Sequence, residues 1–139
     1  MGDRWRGGNC RAAVAQVITV EPWSDAAESA LGGALGRDTA AVAAEVEAGR
    51  AVLYRFAGES AEGFVVCRLE CFDNRRELVC VAGAGRGYNA ALAEIEASAR
   101  KAGIDEIRVH ALSPGVVRLA RRSGFELAEY VCRKGLKNG

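Results

Sequence analysis

Leu78-Val79-Cys80-Val81-Ala82-Gly83-Ala84-Gly85-Arg86-Gly87 runs directly into a helical pattern from Tyr88 to Gly103, and the reading of this stretch decides the fold. Its first half is a short apolar run of strand character. Three glycines at alternate positions follow, and then apolar residues at 88, 91, 92, 95, 99 and 102, the spacing of an amphipathic helix. Glycine lets the backbone turn through positive φ and lets a ligand approach closely. The first amides of a helix have no intrahelical acceptor and lie at the positive end of the helix dipole, so they attract an anion. The expectation is a strand, a glycine loop and a helix start that together cradle an anion.

Downstream of Gly103, Ile107, Val109 and Ala111 alternate with Arg108 and His110 as a strand does, which puts His110 on the face opposite the inward residues. Ser113 and Pro114 suit the N-cap and first turn of a short last helix that stops at Gly124. Phe125 to Arg133 then reads as a closing strand or strand pair. Upstream, Ala51–Phe56, Gly63–Cys71 and Glu77–Val81 are Val-, Leu- and aromatic-rich, and the turn residues Gly58-Glu59-Ser60 and Asp73-Asn74 join them into antiparallel hairpins. Before these lie two short helices. Asp25 with Glu28 resembles a capping box for the first, whose far end is weakened by Gly32, Gly33 and Gly36. Asp38 caps the second, which carries Val42 and Val46 on one face and stops at Gly49. Gln16 to Glu21 reads as a first strand, ended by Pro22, and residues 1–13 as a poorly ordered tail holding Arg4-Trp5-Arg6. The predicted order is β-α-α-β-β-β-α-β-α-β, one α/β domain over 14–139.

Composition narrows the function. In 139 residues there is room for one domain with a real core. Half of them are apolar and 27% charged, as in soluble globular proteins. A net charge of +1 gives no bulk electrostatic pull toward nucleic acid. No apolar run approaches the roughly 18 residues of a membrane span, and the N-terminus reads as neither a secretory signal nor a myristoylation site. Five cysteines, at 10, 67, 71, 80 and 132, lie mostly in strand-like runs and read as small apolar residues of a reduced, cytoplasmic protein. Cys67 and Cys71 lack zinc-knuckle spacing and the chain has one histidine, so no metal site is expected. A dinucleotide fingerprint fails because Tyr88 stands where its third glycine belongs, and no Gly-Lys-Ser/Thr of a P-loop occurs.

From Glu77 to Leu136 the chain resembles the GNAT superfamily of N-acyltransferases: apolar strand, glycine loop, long helix ending Ala-Arg-Lys-Ala-Gly, the strand Ile-Asp-Glu-Ile-Arg-Val-His-Ala, and a short helix ending Arg-Arg-Ser-Gly-Phe. The first half matches in element order. The resemblance implies a mixed, mostly antiparallel central sheet flanked by helices, and short chains of this wording on phage genomes imply a phage or prophage setting, hence host cytoplasm. It also implies acetyl-CoA, or another acyl-CoA, as co-substrate. Gly85 and Gly87 fall on the small positions of the diphosphate-binding pattern, Ala82 on its leading Arg or Gln position, and Arg86 on a variable one, in a loop shorter than usual. Main chain at Val79, Val81 and Gly83 and the side chain of Ser113 complete the implied cofactor contacts. Glu77 occupies the position of the family's base. Useful base strength in a Glu asks for a rise of about two pKa units. The family's tyrosine acid falls on Ala120, leaving Tyr130 or Tyr88 as replacements. Arg118, Arg121 and Arg122 share one helix and read as a solvated face, or as a contact for the CoA 3′-phosphate or for nucleic acid.

Two functions compete. One is N-acyl transfer by direct attack of a small-molecule or protein amine drawn in by Glu28, Asp38, Glu45 and Glu47, with a modified nucleobase as the acceptor in a phage setting and a homodimer allowed. The other is a catalytically inactive GNAT-fold binding or assembly protein.

Overall fold

In a computed structural model, residues 17–111 and 114–137 are described. The elements are β1 (Val17–Glu21), α1 (Asp25–Leu35), a 3₁₀ turn (Gly36–Asp38), α2 (Thr39–Glu47), β2 (Val52–Ala57), β3 (Glu62–Phe72), β4 (Arg75–Arg86), α3 (Tyr88–Lys101), β5 (Glu106–Val109) and α4 (Pro114–Arg122). The strands form one sheet in sequence order. The first three ladders are antiparallel, and β4–β5 is parallel because α3 carries the chain back before β5 begins.

Alternation along the strands sends side chains to two cores, one on each face. Tyr54, Phe56, Val65, Cys67 and Cys80 join Ala91, Leu92 and Ile95 of α3 on one face. Leu53, Phe64, Val66 and Ala82 meet Ala27, Leu31 and Leu35 of α1 on the other, with Val42 and Val46 of α2 packed against them. Each fully buried Leu, Ile or Phe contributes about 1.5–3 kcal/mol. The parallel pair is held in register by Arg76. Its guanidinium donates to the carbonyls of Ala102 and Gly103 at 2.8 and 2.7 Å, capping the end of α3, and its amide donates to Asp105 Oδ2 at 2.8 Å.

Several expectations change. The glycine stretch is not a loop, since β4 runs unbroken to Arg86 and only Gly87 turns. The N-cap of α1 is Ser24, whose hydroxyl accepts from the Ala27 amide at 3.1 Å, and Asp38 makes no side-chain cap for α2. Gly32 and Gly33 lie inside α1, with open space where a Cβ would stand. Phe125–Arg133 forms no strand: Phe125 is half-buried, and residues 126–137 are exposed and belong to no helix or strand. Cys67 and Cys80 are core residues, whereas Cys71 and Cys132 are exposed. The 1–13 tail and Cys10 lie outside the described residues.

Candidate functional site

Between β3 and β4 the register steps once. Cys67 pairs with Cys80 and Val66 with Ala82, so Val81 has no partner on β3 and forms a β-bulge. On the other side of β4, the ladder with β5 ends at Cys80 and Val109, closed by the His110 amide donating to the Cys80 carbonyl at 3.2 Å. From Val81 to Arg86 no described strand lies along that edge. Alternate residues of an antiparallel strand aim both main-chain groups away from their partner, so this edge presents donors and acceptors that no described strand takes. The bulge stands where the two parallel strands separate.

The glycines shape the far end. Gly63, Gly83 and Gly85 share the α3 face. A Cβ on Gly83 would strike the Tyr88 ring, with the hydroxyl at 2.6 Å, and one on Gly63 would meet Phe56 Cζ at 2.6 Å. Tyr88 and Phe56 stack in a tilted pair with centroids 6.3 Å apart. Gly85 takes φ 136° opposite Gly63, which leaves no room for a side chain between β3 and β4. Gly87, at φ 75°, is the N-cap of α3 and brings no capping side chain. Gly85, Arg86, Gly87 and Asn89 are exposed, so the first turn of α3 opens to solvent beside one guanidinium.

At the other end of β4, Glu77 is 8% exposed, the buried charged residue among the described ones. Its neighbours across both ladders are Glu70 on β3 and Glu106 on β5. Three like charges in a row are tolerated because arginines interleave. Arg108 reaches Glu77 Oε1 with Nη1 at 3.5 Å and Glu70 Oε1 with Nη2 at 3.3 Å, while Arg68 Nε meets Glu70 Oε2 at 2.8 Å. The hydrogen bond from Arg68, with Arg108 adding to it, holds the Glu70 carboxyl below its ordinary value. Among the described residues the buried Nε of Arg108 has no hydrogen-bond partner, a loss of about 1–3 kcal/mol accepted to keep the guanidinium between two carboxylates. His110 stands just past the end of β5, two residues from Arg108. Desolvation first, then Arg108 and Arg68, push its imidazole below the usual value even though the residue is exposed.

The structure brings Glu77, Val79, Val81 and Gly83 onto one strand, and Gly85, Arg86 and Gly87 to its exposed end. Tyr130 is 86% exposed. Tyr88 is packed under Gly83, and burial first, then Cys80 and Cys67, drive its phenol pKa well up. Ala120 sits on α4, where Arg118, Arg121 and Arg122 are exposed. Ser113 lies outside the described residues. Sequence reasoning missed Arg68, Glu70 and Arg108 as partners around Glu77. Their alternation with apolar neighbours was the available signal. The bulge at Val81 left none.

No protein-family model and no curated protein matches the chain. Solved structures do. An aminoglycoside acetyltransferase from an uncultured soil metagenomic sample is 9% identical, with TM-score 0.61 over 89% of this chain and 97% of that one. A possible acetyltransferase from Clostridium difficile 630 is 12% identical, with TM-score 0.63 over 89% and 99%. A ribosomal-protein-alanine N-acetyltransferase from Brucella melitensis biovar Abortus 2308 is 17% identical, with TM-score 0.60 over 87% and 100%. At these identities the likeness is one of fold: the chain shares with these structures a five-stranded, mostly antiparallel sheet with flanking helices.

Proposed function

We propose that the protein is an acyl-CoA-dependent N-acyltransferase. The observation that carries this reading is the Val81 bulge, placed where β5 leaves β4. A strand edge freed on one side can pair with the amides of a pantetheine arm, and a bulged residue can aim an amide at a carbonyl oxygen that gains charge. Acyl-CoA, when bound, supplies the thioester. Main chain at Val81 and Gly83 takes the arm, behind Val79, which is paired to Arg68 and Arg108 in the two ladders, and Gly85, Arg86, Gly87 and the first turn of α3 take the diphosphate, with Ser113, which precedes Pro114 in sequence, assisting. Glu77, with Arg108 Nη1 3.5 Å from its Oε1, takes the proton of the incoming ammonium, directly or through water. The amine nitrogen then bonds to the acyl carbon, the carbon–sulfur bond breaks, and Tyr130 or solvent protonates the sulfur. The similar structures name an aminoglycoside and a ribosomal-protein alanine, so an amino sugar and a protein N-terminus are the acceptors to assay first. A cytoplasmic setting, with Cys67 and Cys80 as free thiols, belongs to the same reading.

Thermal unfolding with acetyl-CoA and CoA tests it. A ligand at about 100 times its Kd stabilises by about 2.7 kcal/mol, a rise of several degrees in Tm. No rise at millimolar cofactor overturns the reading. Arg86→Glu, on an exposed side chain, shrinks the rise. Glu77→Gln keeps it but removes turnover, and unchanged turnover with an unchanged pH profile would sink the assignment of the base. A non-catalytic binding or assembly module is the second reading. It is favoured by Gly85 and Arg86 being paired to Gly63 and Glu62 within the sheet, and by Ala120 where an acid is expected. It predicts no rise at all.

A further inference from the structure

In the parallel register of β4 and β5, Glu77 is opposite Glu106 and Val79 opposite Arg108. His110 continues that row. Its amide donates to the Cys80 carbonyl at 3.2 Å, which sets it level with Val81, where the two strands part. Ile107 and Val109 pack against the α3 core, so Arg108, and His110 two further on, are turned to the α1 face. The charges that act on His110, among them Arg108, Arg68 and Glu70, belong to that face, and Val81 packs against the α1 core. The chain's one histidine therefore stands beside the bulge. Glu77 is four residues from Val81, about 13 Å along the strand at roughly 3.3 Å per residue. A carboxylate there can take a proton from an ammonium on its way in. It is too far to serve the nitrogen once that atom has bonded to an acyl carbon held at Val81.

Resting on the N-acyltransferase reading, we propose that His110 is a further catalytic residue, a proton carrier between the attacking nitrogen and the departing sulfur. Glu77 takes one proton from the ammonium, and the free amine attacks. The tetrahedral adduct then has a positive nitrogen and a negative oxygen. The imidazole takes a proton from that nitrogen. The oxygen's electron pair re-forms the carbonyl, the carbon–sulfur bond breaks with its pair going to sulfur, and the imidazolium gives its proton to the thiolate. The products are the amide and the CoA thiol; His110 is back in its starting form, and Glu77 returns its proton to solvent. The surroundings suit a group that begins neutral. Desolvation first, then Arg108 and Arg68, hold the imidazole below its usual value against Glu129 and Glu70, so near neutral pH it is unprotonated and can accept. His110 then does the work otherwise left to Tyr130, 86% exposed, or to Tyr88, whose buried phenol is driven well up.

The test uses the full, untagged chain. With one histidine, its imidazole gives a single set of NMR signals that can be followed as ligand is added. CoA should move them. Adenosine 3′,5′-bisphosphate, which has neither the pantetheine arm nor the sulfur, should leave them in place. His110→Gln should keep the Tm rise with acetyl-CoA and lower kcat about 10²–10⁴-fold on an acceptor that the native chain acetylates. In His110→Gly, free imidazole in the buffer should restore part of the turnover, and it should restore none in Glu77→Gln. A Tm rise with CoA while the imidazole signals stay put, signals moved equally by the bisphosphate, full turnover in His110→Gln, or a His110→Gly loss that imidazole leaves unchanged would each overturn the role of His110 and leave the transferase reading standing. No Tm rise at millimolar cofactor would end both.

Discussion

Gly83 shows how a residue's role can be misassigned from its neighbours in sequence. Three glycines in five positions suggest a loop, but glycines at i and i+2 in a strand also leave one face bare, and here that face receives Tyr88. Gly83→Ala should therefore lower stability by about 1–3 kcal/mol through overpacking, read as a fall in Tm. In a Tyr88→Leu background the same change should cost much less, a coupling that a double-mutant cycle would expose. Acid–base behaviour follows from the same packing. Cys67, hydrogen-bonded to Cys80 with the sulfurs 3.6 Å apart and buried beside it, has its thiol pKa raised well above 9.0. Tyr88 is raised above 10.0 by burial first. Both groups are acids whose folded pKa exceeds the unfolded one, so the folded state holds protons that the unfolded state releases. Their stabilisation is complete below the unfolded values and is lost as pH climbs past them. Urea-unfolding free energy should fall from about pH 9 upward, and Tyr88→Phe should flatten the later part of that fall while keeping the ring over Gly83.

Among the elements, β4 does most of the positioning, with the Arg76 clamp at its start, the bulge midway and the glycine face at its end. Val81→Pro tests the bulge. Proline is tolerated at bulges, and Val81 has no partner on β3, so the variant should fold with Tm close to that of the parent. If a Val81 amide stabilises the carbonyl oxygen, turnover should drop about 10²–10³-fold. Unchanged turnover in a folded Val81→Pro protein would remove that role. Periods of 2 and 3.6 made β2, β3, the first part of β4, α3 and α4 legible in the sequence, with ends shifted by a residue or more. Glu77 was legible as a strand-end carboxylate beside Arg75 and Arg76. The bulge was not, because it exists only in the pairing of two strands. Nor was the Arg108–Glu77 contact, which depends on the parallel register that sets Val79 against Arg108. The segment 125–133 alternates as a strand should, but alternation states only what a chain can do beside an edge, and its own chain does not pair it with one.

At the scale of the whole molecule, the two cores have no layer of their own to rest on, since both are built on β2, β3 and β4. Leu53 and Tyr54 are chain neighbours facing opposite cores, and so are Val65 and Val66. Moving either strand to fill a hole on one face shifts side chains on the other. The α1 layer should therefore not melt separately from the α3 layer. Leu31→Ala empties part of the α1 core, and Ile95→Ala part of the α3 core. Both residues are fully buried, and each truncation should cost about 2–5 kcal/mol. Trp23, packed against the α1 core, reports that layer by fluorescence in a Trp5→Phe background, and the near-ultraviolet signal of the tyrosines, Tyr54 and Tyr88 among them, follows the α3 core. In each variant the two probes should shift together, with one midpoint. A Leu31→Ala protein whose Trp23 signal melts early while the tyrosine signal stays at the parental midpoint would show that the sheet does not couple its faces. In that case, a ligand seated along β4 would stabilise one layer rather than the whole chain.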